Sequence, residues 1–130
     1  MLFQLPTQGG SFEIPDDWWR FAEMERFEVS PGGYYPYAIP EDDEVIITST
    51  REVEPPVRNM GVPLLKKYKL MPVLFAFASP ECALPPIEVH ESRTGSPYKF
   101  SVHNGYHRFY GSVAAGYTHL PIVVRLPFKP

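Results

Sequence analysis

The chain predicts a compact α/β (α+β) domain with a small mixed sheet and helices, and three observations carry that reading. "YKFSVH" (Tyr98–His103) alternates strictly, with Tyr98, Phe100 and Val102 on one face and Lys99, Ser101 and His103 on the other, as a half-buried strand does. "LLKKYKLMPVLFAFAS" (Leu64–Ser79) and "YHRFYGSVAA" (Tyr106–Ala115) have helical spacing, the second stopped by Gly116. "LPIVVRL" (Leu120–Leu126) is a short continuous apolar run, the pattern of a buried strand. The resulting order of strand, helix, strand, turn, strand, helix, strand defines the class.

The elements follow in order. Residues 1–40 read as an irregular, aromatic N-terminal extension, and residues 41–130 as the domain proper. Within the extension, "PDDWWRFAEMERF" (Pro15–Phe27) predicts a short helix, because Pro15 and the two aspartates suit a helix start. Trp18, Phe21, Ala22 and Glu25 fall on one side of it, and Trp18 and Trp19 are expected to pack over the domain. "SPGGYYPYAIPEDD" (Ser30–Asp43) is a loop by its Gly and Pro content. "EVIITSTREVEP" (Glu44–Pro55) is rich in β-branched residues and predicts one strand. "PPVRNMGVPLL" (Pro55–Leu65) breaks the pattern. In the helix that follows, Leu64, Leu65, Tyr68, Val73 and Phe77 are the expected apolar positions, and Pro72 is expected to kink or split it. "LPPIEVHES" (Leu84–Ser92) predicts a strand with Ile87 and Val89 on one face and Glu88 and His90 on the other, followed by a turn at "RTGSP".

Composition narrows the function. The 130 residues, 44% of them hydrophobic, suffice for one core, and the 16 prolines are more than double the usual ~5% share. A net charge of -3 gives no support to a general nucleic-acid binder. One cysteine, Cys82, excludes an internal disulfide framework and a multi-cysteine zinc site, and fits a reducing compartment. The N-terminus lacks the pattern of a signal peptide, and the most apolar window, Leu70–Ala78, is too short to span a bilayer. The expectation is a cytoplasmic protein with no membrane partner.

The chemistry concentrates at the start of the second helix. Asn104 and Gly105 make the turn out of a strand, and His107 and Arg108 occupy the first helical turn. A helix N-terminus carries unpaired amide donors and partial positive charge, so it attracts phosphate and disfavours cations. Two cationic side chain types at that end point to an anion: either a ligand, or a structural carboxylate such as Glu88. Arg108 offers a forked donor for phosphate oxygens, and His107 a hydrogen bond or a proton. The same residues also suit a plain N-terminal turn with a buried Arg pair. Glu88 is the nearest carboxylate in the expected sheet, a candidate base or magnesium ligand as well as an Arg-paired strand residue.

"PPIEVHE" followed by "YKFSVHNGYHRFYGSVAAGYTHLPIVV" resembles the ParB/sulfiredoxin superfamily, whose hallmark is a strand ending in Gly-x-His-Arg, a small-residue helix, a Gly and a short Pro-Ile/Val strand. The resemblance covers Leu84–Val124 closely and the "EVIITSTREVEPPVRN" region more loosely. It implies a ParB/sulfiredoxin-like domain that binds a nucleoside triphosphate (ATP or CTP, with Mg where it is hydrolysed). By that resemblance Gly105, His107 and Arg108 would contact the phosphates, with Arg58 as a second basic partner. Read from the residues themselves, Asn104 at the turn joins the phosphate-binding candidates, and His107 and Glu88 are the catalytic candidates. Lys66 and Lys67 lie where some members use polar or basic helix residues. Sulfiredoxins have a reactive Cys where this chain has Tyr106, so sulfinic-acid repair is not expected. Chromosome-partition members carry a downstream helix-turn-helix, whereas the sequence here stops at Pro130 directly after the last strand, so sequence-specific centromere binding is not expected. The small members that remain include ATPases and DNases of plasmid or phage accessory type in bacteria, and free-serine kinases. Partners implied are a nucleotide, DNA bound without sequence specificity, and a protein. The alternatives are a catalytically inactive interaction module of the same fold, working through "WWRF" and "GGYYPY", and a small-molecule kinase.

Overall fold

A computed structural model describes residues 1–7, 10–29, 32–58, 60–79 and 81–126. Ser30 and Pro31 of the expected loop, and Asn59 and Pro80, lie outside the described residues. The chain begins with a hairpin of β1 (Leu2–Gln4) and β2 (Ser11–Glu13), paired antiparallel. Helix α1 (Asp16–Phe21) and a 3-10 turn at Met24–Arg26 follow. The main sheet holds β3 (Ile46–Ser49), β4 (Val53–Glu54), β5 (Ile87–Glu91), β6 (Phe100–Asn104) and β7 (His119–Val124) in the order β3-β7-β5-β6-β4. β3–β7 and β5–β6 are antiparallel, and β5–β7 and β4–β6 are parallel. Helices α2 (Lys67–Ala78) and α3 (Tyr106–Ala115) complete a mixed α+β domain, the class expected from the sequence.

The expected single strand over Glu44–Pro55 is two strands. A 3-10 turn at Thr50–Glu52 divides it, and its halves lie on opposite edges of the sheet. Four strand spacings in a flat sheet measure about 19 Å. The four residue steps from Ser49 to Val53 reach at most about 14 Å. The sheet must therefore curl to bring its edges together.

Pro72 does not split α2, which is helical from Lys67 to Ala78. Its buried face is Leu70, Val73, Leu74 and Phe77, while the expected core residue Tyr68 is 70% exposed. In α1 Trp19 is buried and Trp18 half-buried against the core, as expected, and Ala22 just beyond it is buried too, whereas Phe21 on the same side as Trp18 is exposed. β1 and β2 were not expected in a segment read as irregular; three-residue strands are too short to show a period.

One core joins these pieces. Ile14, Trp19 and Tyr35 from residues 1–40 pack with Val53, Leu70, Leu74, Ile87, Val89, Phe109, Leu120 and Ile122. Phe12 meets Tyr110 edge-on at 4.9 Å, seating the hairpin on α3. The opposite face of β5 and β6 carries Glu88, His90, Ser101 and His103, which stay half-buried or exposed. The small residues of α3 serve helix–helix contact as well: a Cβ added at Gly111 would stand 3.0 Å from Val73 Cγ1 of α2.

Candidate functional site

β6 ends at Asn104, and the chain turns through Gly105 into α3 as expected. Gly105 has φ +128°, and an added Cβ would lie 3.0 Å from Ile87 Cγ2, so both backbone and packing require glycine. No side chain caps α3. Its first turn faces a cleft of about 550 Å³ bounded by the Pro56–Arg58 segment, by α2 and by the end of β6. Arg58, Lys69, His103, His107 and Arg108 all line it, and among the described residues no carboxylate does.

The loop bearing Arg58 is held in two places. Tyr110 Oη donates to Pro56 O at 2.6 Å. The Arg58 guanidinium lies 3.9 Å from the centre of the Tyr106 ring, a cation–π contact. Its Nε is buried with no hydrogen-bond partner among the described residues. Tyr106 therefore positions an arginine here. Burial pushes the Tyr106 phenol up, opposed by the Arg58 charge, so it stays a neutral hydroxyl.

His107 is buried, and its Nε2 accepts the Lys66 backbone N–H at 3.0 Å. An accepting Nε2 places the proton on Nδ1 in the neutral ring. Burial first, then the Arg58, Lys69 and Lys66 charges, push its pKa down to about 4. A neutral imidazole explains how His107 sits at the positive end of a helix. Its role here is to anchor the start of α2.

Arg108 uses its fork on backbone. Nη1 donates to Pro85 O at 3.0 Å, and Nη2 to Asn104 O at 3.3 Å. Tyr35 Oη reaches the same Pro85 carbonyl at 3.2 Å. The guanidinium thus ties the loop before β5 to the end of β6 while still lining the cleft.

Glu88 belongs to a different cluster. It accepts from Arg125 Nε at 2.7 Å and from Asn104 Nδ2 at 2.9 Å, and Arg125 also grips Asp43 at 2.6 and 2.9 Å. The Arg125 and Asn104 hydrogen bonds hold the Glu88 carboxyl below the usual range. Glu88 does not line the cleft with Arg58 and Arg108, and the Asn104 side chain points its amide at Glu88. The carboxylate considered as a partner for Arg108 is hydrogen-bonded by Arg125 instead.

The structure therefore gathers Arg58, Gly105, His107 and Arg108 at one cleft and places Glu88 outside it. Lys66 and Lys67 start α2 without lining the cleft, whereas Lys69 does. Lys69 and Val73 are one helical turn apart and face the cleft together, a spacing visible in "KLMPV" once the helix register is known. No protein-family model matches the chain, and neither a curated protein nor a solved structure matches it. No helix among the described residues is long and apolar enough to cross a membrane.

Proposed function

We propose that this protein binds the phosphates of a nucleoside triphosphate in the cleft at the start of α3, in the manner of a ParB/sulfiredoxin-like domain. The observation that carries the reading is the charge of the cleft. Three cations, Arg58, Lys69 and Arg108, meet there with no carboxylate among the described lining residues, in a chain whose net charge is -3. Cations gathered without counter-charge repel one another, and a polyanion relieves that cost. The uncapped amides of α3 add aligned donors. Arg58, through its guanidinium, and Lys69, as a point charge, would contact the phosphates directly.

Binding is better supported than hydrolysis. His107 accepts a backbone hydrogen bond and resists protonation, and Glu88 is held in an ion pair away from the cleft. Neither is poised as an acid or base for ATPase, DNase or kinase chemistry. The interaction-module alternative loses two of its aromatic residues, since Trp19 and Tyr35 are buried in the core.

The test is a titration of ATP and CTP, with and without Mg²⁺, into wild-type protein and into Arg58→Ala and Lys69→Ala variants. Each variant should weaken binding roughly tenfold or more, the value of one charge-assisted hydrogen bond. Phosphate release, measured in the same samples, should stay at background. No binding by the wild type, or unchanged affinity in both variants, would overturn the proposal.

A further inference from the structure

The polar face of the sheet holds a second constellation, which shares His103 with the cleft. His90 on β5 and His103 on β6 bring their ring centres to 4.4 Å across the strand pair, at an interplanar angle of 47°. A shift of register between Glu88 and Val89 accompanies this approach. His90 is half-buried and His103 is exposed.

The tautomer of His90 follows from its partner. Its Nδ1 lies 2.9 Å from the Arg125 carbonyl oxygen. A carbonyl can only accept, so Nδ1 carries the proton and Nε2 of the neutral ring keeps its lone pair. A histidine that donates one nitrogen to a backbone carbonyl while the other stays basic has the outer-sphere arrangement of metal-ligating histidines. Arg125 is itself fixed, by its own backbone N–H to Val89 O at 2.7 Å and by its side chain on Glu88 and Asp43. The His90 ring is therefore oriented by a rigid neighbour.

We propose that His90 and His103 form a two-imidazole site for a late first-row divalent cation such as Cu²⁺ or Zn²⁺. Two imidazoles bound side by side at ~2.0–2.1 Å place their ring centres about 4.5–5 Å apart, close to the 4.4 Å of this pair. Among the described residues no group of three or more metal-ligating side chains converges, and Glu88 next to the pair is occupied by Arg125 and Asn104. Solvent completes the coordination shell. Such a shell is open to exchange, and imidazole ligands without carboxylates favour Cu²⁺ over Zn²⁺ and disfavour Mg²⁺ and Ca²⁺. The ion would bridge β5 to β6. His103 also lines the cleft of Arg58 and Arg108, so an ion held there would add positive charge to its rim.

The test uses the full chain in a buffer free of nucleotide and phosphate, so its outcome is independent of the nucleotide reading. Cu²⁺ alone and Zn²⁺ alone are titrated by calorimetry, with chelator competition fixing the affinity. The expected result is one ion per chain, Cu²⁺ tighter than Zn²⁺, and at least a tenfold loss in His103→Gln and in His90→Gln. His119→Gln serves as the control and should bind like wild type, because His119 is exposed on β7 with its Nδ1 beside Thr118 Oγ1. Should His90→Gln fail to fold, the exposed His103→Gln decides. No binding at a hundredfold excess of metal, or unchanged affinity in His103→Gln, would overturn the proposal.

Discussion

The Lys66 backbone N–H donates to His107 Nε2 across 3.0 Å, so the first turn of α3 caps the start of α2. The two residues are 41 positions apart, and the bond joins the two helices that wall the cleft. Removing the acceptor leaves a part-buried amide unsatisfied. His107→Ala should cost about 1–3 kcal/mol by denaturant unfolding. His107→Gln, which keeps an acceptor, should recover part of that loss. Equal stability of all three proteins would mean that the bond contributes nothing.

The same residue predicts a pH dependence. His107 in the fold has its pKa lowered to about 4, from an ordinary value of 6.5. The unfolded state therefore binds the extra proton first as pH falls. Its stabilising contribution is complete above about pH 6.5 and is lost progressively as pH falls toward 4. Thermal unfolding between pH 4 and 7 should show a falling Tm in the wild type and a flatter profile in His107→Gln. Parallel profiles would contradict the burial of a neutral imidazole.

Two carboxylates form a second acid-sensitive network. Asp43 and Glu88 both have lowered pKa values through hydrogen bonds to Arg125. Their stabilisation is present above the ordinary carboxylate range and fades as pH falls through their folded values. Arg125→Leu should lower Tm at pH 7, because it leaves two partly buried carboxylates without their cation, and the difference from wild type should narrow below pH 4. A constant difference across that range would exclude the network as its cause.

Gly105 allows a sharper test of the cleft's geometry. Its φ of +128° and the 3.0 Å approach to the buried Ile87 mean that Gly105→Ala strains backbone and packing together. The expected cost is roughly 1–3 kcal/mol. The neighbouring Asn104→Ala keeps the backbone free and loses only the Glu88 contact, so its cost should be below 1 kcal/mol, as for about one exposed hydrogen bond. Comparable losses in the two variants would show that glycine is not required there.

The second half of the chain was legible element by element. Alternation in Tyr98–His103, of which Phe100–His103 is strand, the Gly105 and Gly116 boundaries and the apolar run at Leu120 all reflect short-range sterics and periodicity, which a linear reading senses directly. The cation cluster at the helix start was also visible, as an oddity at the wrong end of a dipole. What His107 and Arg108 do there was not. Their partners are Lys66, Pro85 and Asn104, and two of those are 41 and 23 residues away.

By itself the sequence determined the mixed class, the strand–Gly–helix turn and the concentration of basic residues near it, because each depends on neighbours within a few positions. Only the tertiary structure decided that Glu44–Pro55 would divide between two edges of one curled sheet. It also assigned Glu88 to Arg125, and Lys69 rather than Lys66 or Lys67 to the cleft. Those outcomes turn on which distant group reaches a donor, an acceptor or a sheet edge first, and local propensity carries no information about that choice.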